Sequence, residues 1–259
     1  MASVRTTHHF LDAIEDDPKA LVSININQTT PLVSFEEAVQ NLKHVMKNIN
    51  KIIEKAKQHP FSQTMGLSMD ELAAIHLYTT DHSKSHRNVS FRLNQALRSG
   101  EFDNIKLWLP YLKLLVNGLH KLPSFKGTIF CMTKDNISNA YQNDFVWRDF
   151  SSCMQTEPVL ENFHDESSVY TLFRIKCVNG KNISDYSQST AHDEVLLMPG
   201  TFLRVIKKCN ETEGIHEVFL QELDHENSFL TSLISVPPSK TTKSLAEEGF
   251  NSNTIFKRE

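Results

Sequence analysis

The sequence has no long run of lysine or arginine, no stretch of the roughly 18 apolar residues a membrane span needs, and no closely spaced cysteines. Each absence removes a class of function. With a formal net charge of −4 and a pI near 6.3, the chain has no electrostatic footprint for nucleic acid or an anionic membrane. Met1 to Asp17 lack the basic-then-apolar order of a signal peptide, so a cytoplasmic, monomeric protein is the default expectation. The four cysteines, Cys131, Cys153, Cys177 and Cys209, form no CxxC and no Cys/His pair of metal-ligand spacing. They read as free buried thiols, and no metal is expected. N-x-[ST] triplets such as Asn27-Gln28-Thr29 and Asn182-Ile183-Ser184 carry no weight without a secretory leader.

What is present is a chain of 259 residues, 39% of them hydrophobic, enough to fill one large core or two adjoining ones. Its front half is helical in pattern. Ser34-Phe35-Glu36-Glu37 is a capping box, and apolar residues from Phe35 through Leu42, Ile49 and Ile53 to Ala56 recur at helical spacing until Pro60. This predicts one helix of about six turns. A second box, Ser68 to Glu71, opens a helix that ends near Thr80. Further helices are expected over Val89–Arg98 and Phe102–Leu122, with Pro110 in the first turn of the latter.

After Pro123 the texture changes to short β-branched and aromatic runs bounded by Gly, Pro or Asn: 127–132, 169–177, 194–198, 201–206 and 215–223. The fold class is therefore α+β. Residues 1–123 are expected to form a helical subdomain and 124–236 a β-rich one, the two integrated into one domain over about 30–225. Residues 237–259, rich in Ser, Thr, Lys and Glu, read as a mobile tail. No cysteine sits in a nucleophile elbow, which disfavours a Cys/His hydrolase.

Three blocks in the back half carry a resemblance. They are the strand Gly127 to Met132, then Trp147-Arg148-Asp149-Phe150-Ser151-Ser152-Cys153, then His192-Asp193-Glu194-Val195-Leu196-Leu197-Met198-Pro199-Gly200-Thr201. In order and spacing they resemble the arginine-serine-glutamate signature of the arginine-specific mono-ADP-ribosyltransferases. Helical blocks such as Ala74 to Thr79, Leu93 to Ser99 and Tyr111 to Leu115 are similar to those of the family's animal and rotifer branch. The resemblance covers about residues 30–206. It implies helices packed beside two small, nearly perpendicular β-sheets, with NAD(P) bound as substrate in a cleft.

The resemblance also implies roles. Glu194 would stabilise the oxocarbenium-like ribose formed as the bond to nicotinamide breaks. Ser152 would hold Glu194 or the ribose. Trp147 and Phe150 would offer an apolar wall to the nicotinamide ring, and the loop from Tyr186 to Ala191 would receive the acceptor protein. Without the flanking blocks, Glu194 reads as a solvated turn, Ser152 as a strand-end serine, and both aromatics as core.

Two departures from the family pattern matter most. Cys131 stands where the signature arginine is expected among the NAD-binding residues. A lost charged hydrogen bond costs about 1.5 to 3 kcal/mol, roughly 10- to 150-fold in affinity. His192 replaces the first acid of the E-x-E pair, an imidazole where a carboxylate would attract the acceptor guanidinium; it would serve as a general base for another nucleophile, or have no role. Met154 alters the serine block as well. The expected activity is transfer of ADP-ribose from NAD to a protein arginine, weakened by these changes; the alternative is a catalytically degenerate member that binds or scaffolds.

Overall fold

The computed structural model describes residues 31–46, 49–58, 66–80, 88–159, 169–187, 193–211 and 214–223. The expected tail at 237–259 and the position of His192 lie outside them. Among the described residues seven α-helices precede seven strands: α1 Phe35–Ala38, α2 Leu42–Val45, α3 Ile49–Gln58, α4 Met69–Thr79, α5 Val89–Ser99, α6 Phe102–Ile105, α7 Leu109–Lys121, β1 Ser124–Lys134, β2 Phe145–Trp147, β3 Ser151–Met154, β4 Tyr170–Asn182, β5 Glu194–Leu197, β6 Thr201–Glu211 and β7 Ile215–Glu222. The mixed helix-and-sheet class is as expected.

The single helix expected from Ser34 is instead three short ones. Ser34 caps α1, accepting from the Glu37 amide at 3.3 Å, but Met46 ends α2 in an extended conformation at φ −131°, ψ 115°. Phe35, Ala38, Val39, Leu42, Met46, Ile49, Ile52, Ile53 and Ala56 are all buried nonetheless. Periodicity thus reported which side chains enter the core, a demand that several helical turns with breaks between them also meet. The segment over Phe102–Leu122 divides as well. Pro110 has no N–H to offer the Lys106 carbonyl, and its ring would clash there, so α7 begins afresh with the proline in its first turn.

Ser68 forms the full reciprocal box at the start of α4, accepting from the Glu71 amide at 3.2 Å while its own amide donates to Glu71 Oε2 at 2.8 Å. Glu71 does more than cap. Its carboxylate, 1% exposed, also accepts from Asn117 Nδ2 at 2.6 Å and Lys121 Nζ at 2.7 Å, joining α4 to α7.

The strands hydrogen-bond in the order β1-β3-β5-β4-β7-β6-β2, with β1 and β4 also paired, so that β1, β3, β5 and β4 close into a ring. Strand β4 serves both parts: residues 170–176 run parallel to β7, while Lys181 and Asn182 pair with Leu196 and Val195 of β5. The approach at Gly180 is close. A Cβ there would stand 2.7 Å from Val195 Cγ1 and 2.9 Å from Cys177 Sγ, so the position admits no side chain without repacking. Strands β2 and β3 were not expected as such. They are three and four residues long, and the two serines of β3 mask its pattern.

One core lies among the helices and a second inside the sheet. Phe150, Ile183, Tyr186, Leu196 and Met198 belong to the helical core although they come from the β-rich half. Lys181, buried, donates to the Leu122 carbonyl at the C-terminal end of α7 at 2.9 Å, a favourable place for a cation.

Burial alone would raise the Glu71 carboxyl pKa, but the bonds from Lys121, Ser68 and Asn117 outweigh it and hold it below the usual value. A carboxyl depressed in the folded state adds stability above its unfolded pKa of about 4.3, and that stability is lost as pH falls through the folded value. Glu71→Gln is therefore expected to lower stability by about 1.5 to 3 kcal/mol near neutral pH. Urea unfolding in neutral and strongly acidic buffers should show the gap from wild type closing in acid.

Candidate active site

Strand register places the predicted residues. Met154 pairs with Glu194 and Ser152 with Leu196 across β3 and β5, and Phe130 of β1 pairs with Met154. Cross-strand partners share a face and alternate residues reverse it. Ser152, Met154, Glu194, Leu196 and Phe130 therefore lie on one side of the ring. Leu196 enters the helical core, so this is the side facing the helices. Cys131, Cys153 and Val195 lie on the other side, inside the sheet core.

Glu194 begins β5 and is 3% exposed. Its carbonyl accepts from the Ile183 amide at 3.0 Å and the Ser184 hydroxyl at 3.3 Å. The preceding Asp193 holds the exit of β3, its carbonyl accepting from the Gln155 amide at 3.0 Å and its carboxylate from the Thr156 amide at 3.2 Å. Ser152, half-buried, is the second residue of the short strand beside it. The structure thus brings Ser152 and Glu194 onto adjacent strands of one face.

Trp147 and Phe150 are separated by the fold. Trp147 sits in the sheet core, stacked near Tyr141 at 6.2 Å between ring centres and edge-on to Phe173 at 5.6 Å, with its indole N–H donating to Ser151 Oγ at 2.9 Å. It packs on the side away from Glu194. Phe150 points into the helices, its ring 5.5 Å from that of Tyr78.

The thiols at Cys131 and Cys153 are not free, contrary to the sequence reading. Because Phe130 faces Met154, Cys131 stands opposite Cys153, and the two form a disulfide with Cα atoms 4.7 Å apart. Both are 1% exposed. The spacing of 22 residues carries no disulfide signal; only the register brings the two together. Cys131 accordingly faces the sheet core instead of the side that holds Glu194. Cys177 and Cys209 are free; Cys177 is buried, and burial pushes its thiol pKa up to about 12, whereas Cys209 is only partly so.

Sequence reasoning missed the helix residues that meet β3. Asn94 of α5 donates from Nδ2 to the Phe150 carbonyl at 2.8 Å and accepts from the Phe150 amide at 3.1 Å. Tyr78 of α4 donates to the same carbonyl at 3.1 Å. Burial first, then the Asp149 carboxylate, with Glu194 a lesser contributor, pushes the Tyr78 phenol well above its ordinary pKa, so it remains a donor. Arg98 pairs with Asp149 at 2.5 Å. The available signal was the spacing of Asn94 and Arg98, four residues apart and so on one helix face. Of the segment from Tyr186 to Ala191, Tyr186 and Ser187 are described; the Tyr186 carbonyl lies 3.2 Å from His76 Nδ1 of α4. Among the described residues there is no group of three or more His, Cys, Asp or Glu that could hold a metal, and no helix is long and apolar enough to cross a membrane.

The arrangement is one of helices laid against a closed ring of strands, with a buried glutamate on the side facing them. Solved structures agree on the fold. The type III effector XopAI from Xanthomonas axonopodis pv. citri is 21% identical with a TM-score of 0.52, over 73% of this chain and 81% of that one. The eucaryotic mono-ADP-ribosyltransferase ART2.2 is 15% identical with a TM-score of 0.51, over 74% of this chain and 84% of that one. No curated protein matches the sequence. Residues 16–228 match the family described as NAD:arginine ADP-ribosyltransferase, and the chain belongs to that family.

Removing the disulfide with Cys153→Ser is expected to cost about 3 kcal/mol from the entropy of the loop it closes, measured by urea unfolding. Alkylation of the unfolded, unreduced protein should label Cys177 and Cys209 only, and all four cysteines after reduction. Four labels without reduction would disprove the bridge.

Proposed function

We propose that this protein transfers ADP-ribose from NAD to an arginine side chain of an acceptor protein and releases nicotinamide. The observation that carries the reading is Glu194, a carboxylate 3% exposed on the sheet face that Ser152 shares. As the bond from the ribose to the nicotinamide nitrogen breaks, positive charge grows on the sugar. A carboxylate held in a poorly hydrated place, already oriented, stabilises that charge more than a solvated one would. Met154 and Phe130 lie next along the same row of the sheet.

In this reading Glu194 accepts a hydrogen bond from a ribose hydroxyl and Ser152 orients it or the ribose. Phe150 supports the strand from below instead of walling the nicotinamide, and Trp147 has a packing role. The acceptor protein approaches the loop from Tyr186 to Ala191. In sequence, His192 stands where the resemblance expects a carboxylate, and an imidazole attracts the acceptor guanidinium less than a carboxylate would. NAD affinity is reduced because Cys131 supplies no guanidinium. A disulfide persists in oxidising surroundings, so we place the protein outside the reducing cytosol, against the default drawn from the sequence.

Binding without turnover is the second reading, favoured by the same observation at Cys131, which is bridged and turned away from Glu194. One assay separates the two. Nicotinamide release by purified protein is expected to rise with agmatine and to fall about 10²- to 10³-fold in Glu194→Gln. Thermal stabilisation by NAD with no release above that variant would leave the binding reading alone. Neither stabilisation nor release would reject both.

A further inference from the structure

Strand β3 carries Ser152 and is four residues long, with four partners in β5 and one recorded in β1. So short a strand sets its own position weakly. Its entry, however, is held by the helices. Asn94 gives Phe150 a donor and an acceptor from one amide, the pair of bonds that a neighbouring strand would give. The Phe150 carbonyl takes a second bond from Tyr78, so both of its lone pairs are used and its N–H is used as well. One residue earlier, Asp149 is paired with Arg98, whose side chain is 9% exposed. Every backbone group of the residue that precedes β3 is therefore fixed by side chains of α4 and α5.

We propose that Asn94 is a positioning residue for the transfer reaction, setting the placement of Ser152 against Glu194 through the backbone of Phe150. The proposal deepens the function given above and rests on it. Only Ser151 separates Phe150 from Ser152, and extended chain transmits displacement almost undiminished over that distance. A shift of about 1 Å in a catalytic group costs on the order of 100-fold in rate. Substrate binding involves a wider set of contacts, so it should change less than turnover.

The experiment compares wild type with Asn94→Ala, Asn94→Asp and Tyr78→Phe. Each is measured for kcat and KM of nicotinamide release and for amide hydrogen exchange at Phe150, Ser151, Ser152 and Cys153. Asn94→Ala is expected to lower kcat at least tenfold while KM for NAD changes less than threefold, with exchange faster at those four amides and unchanged in β6 and β7. Asn94→Asp sets an anionic oxygen against the Phe150 carbonyl and is expected to be worse than alanine. Tyr78→Phe keeps the ring and removes one of two donors, so the same effects should appear on a smaller scale if the Asn94 variants fold poorly. Changes of kcat and KM in parallel, or exchange raised throughout the chain, would overturn the proposal in favour of a merely structural role. Should wild type release no nicotinamide, the function above fails by itself; exchange that stays slow at Ser151 to Cys153 in Asn94→Ala would then reject the clasp too, and local acceleration would uphold it.

Discussion

The interface between the helices and the strand ring governs the rest of this structure. Phe150, Ile183, Tyr186, Leu196 and Met198 leave the β-rich half to join the helical core, and burying them settles which face of β3 and β5 turns toward the helices. Strand geometry then leaves no freedom. If Leu196 faces the helices, so do Glu194 and Ser152, while Val195, Cys153 and Cys131 face the sheet core. The polar bonds at the same seam, from Asn94, Tyr78, His76 and Lys181, satisfy backbone groups that this burial would otherwise strip of water.

The same alternation gives the cysteines their meaning. Taken singly, Cys131 is a departure from the resemblance and Cys153 only a cysteine next to Ser152. Taken together they are cross-strand neighbours that tie β1 to β3 within a core of Trp147, Tyr141 and Phe173. Strand β3, too short to be well anchored by its ladder, is held from two directions: by the disulfide on one face and by Asn94 at its entry.

The helical half was readable because its signals are local. Ser68 and Glu71 form the box their spacing announces, and Phe35, Ala38, Leu42, Ile49, Ile53 and Ala56 are buried as their period requires. The breaks at Met46 and before Leu109 were not readable in the same way, because a helical period in the burial pattern does not require an unbroken helix. Glu71 also shows the limit of local reading: its links to Asn117 and Lys121 bring together residues 46 and 50 positions away. Strands β2 and β3 escaped notice because a strand of three or four residues has too few alternations to stand out from a loop.

By itself, then, the sequence determined the order of helices before strands, the apolar positions that the first helical segment buries, and the family, whose blocks around Ser152 and Glu194 are contiguous in the chain. Those features are encoded by neighbours a few residues apart. Only the tertiary structure decided that Trp147 and Phe150, three residues apart, belong to different cores, that Cys131 and Cys153 are joined, and that Asn94 holds the entry to the serine strand. Each of those depends on register between strands or on the docking of a helix against a strand, and both are fixed by burial of surfaces that meet only once the chain has folded.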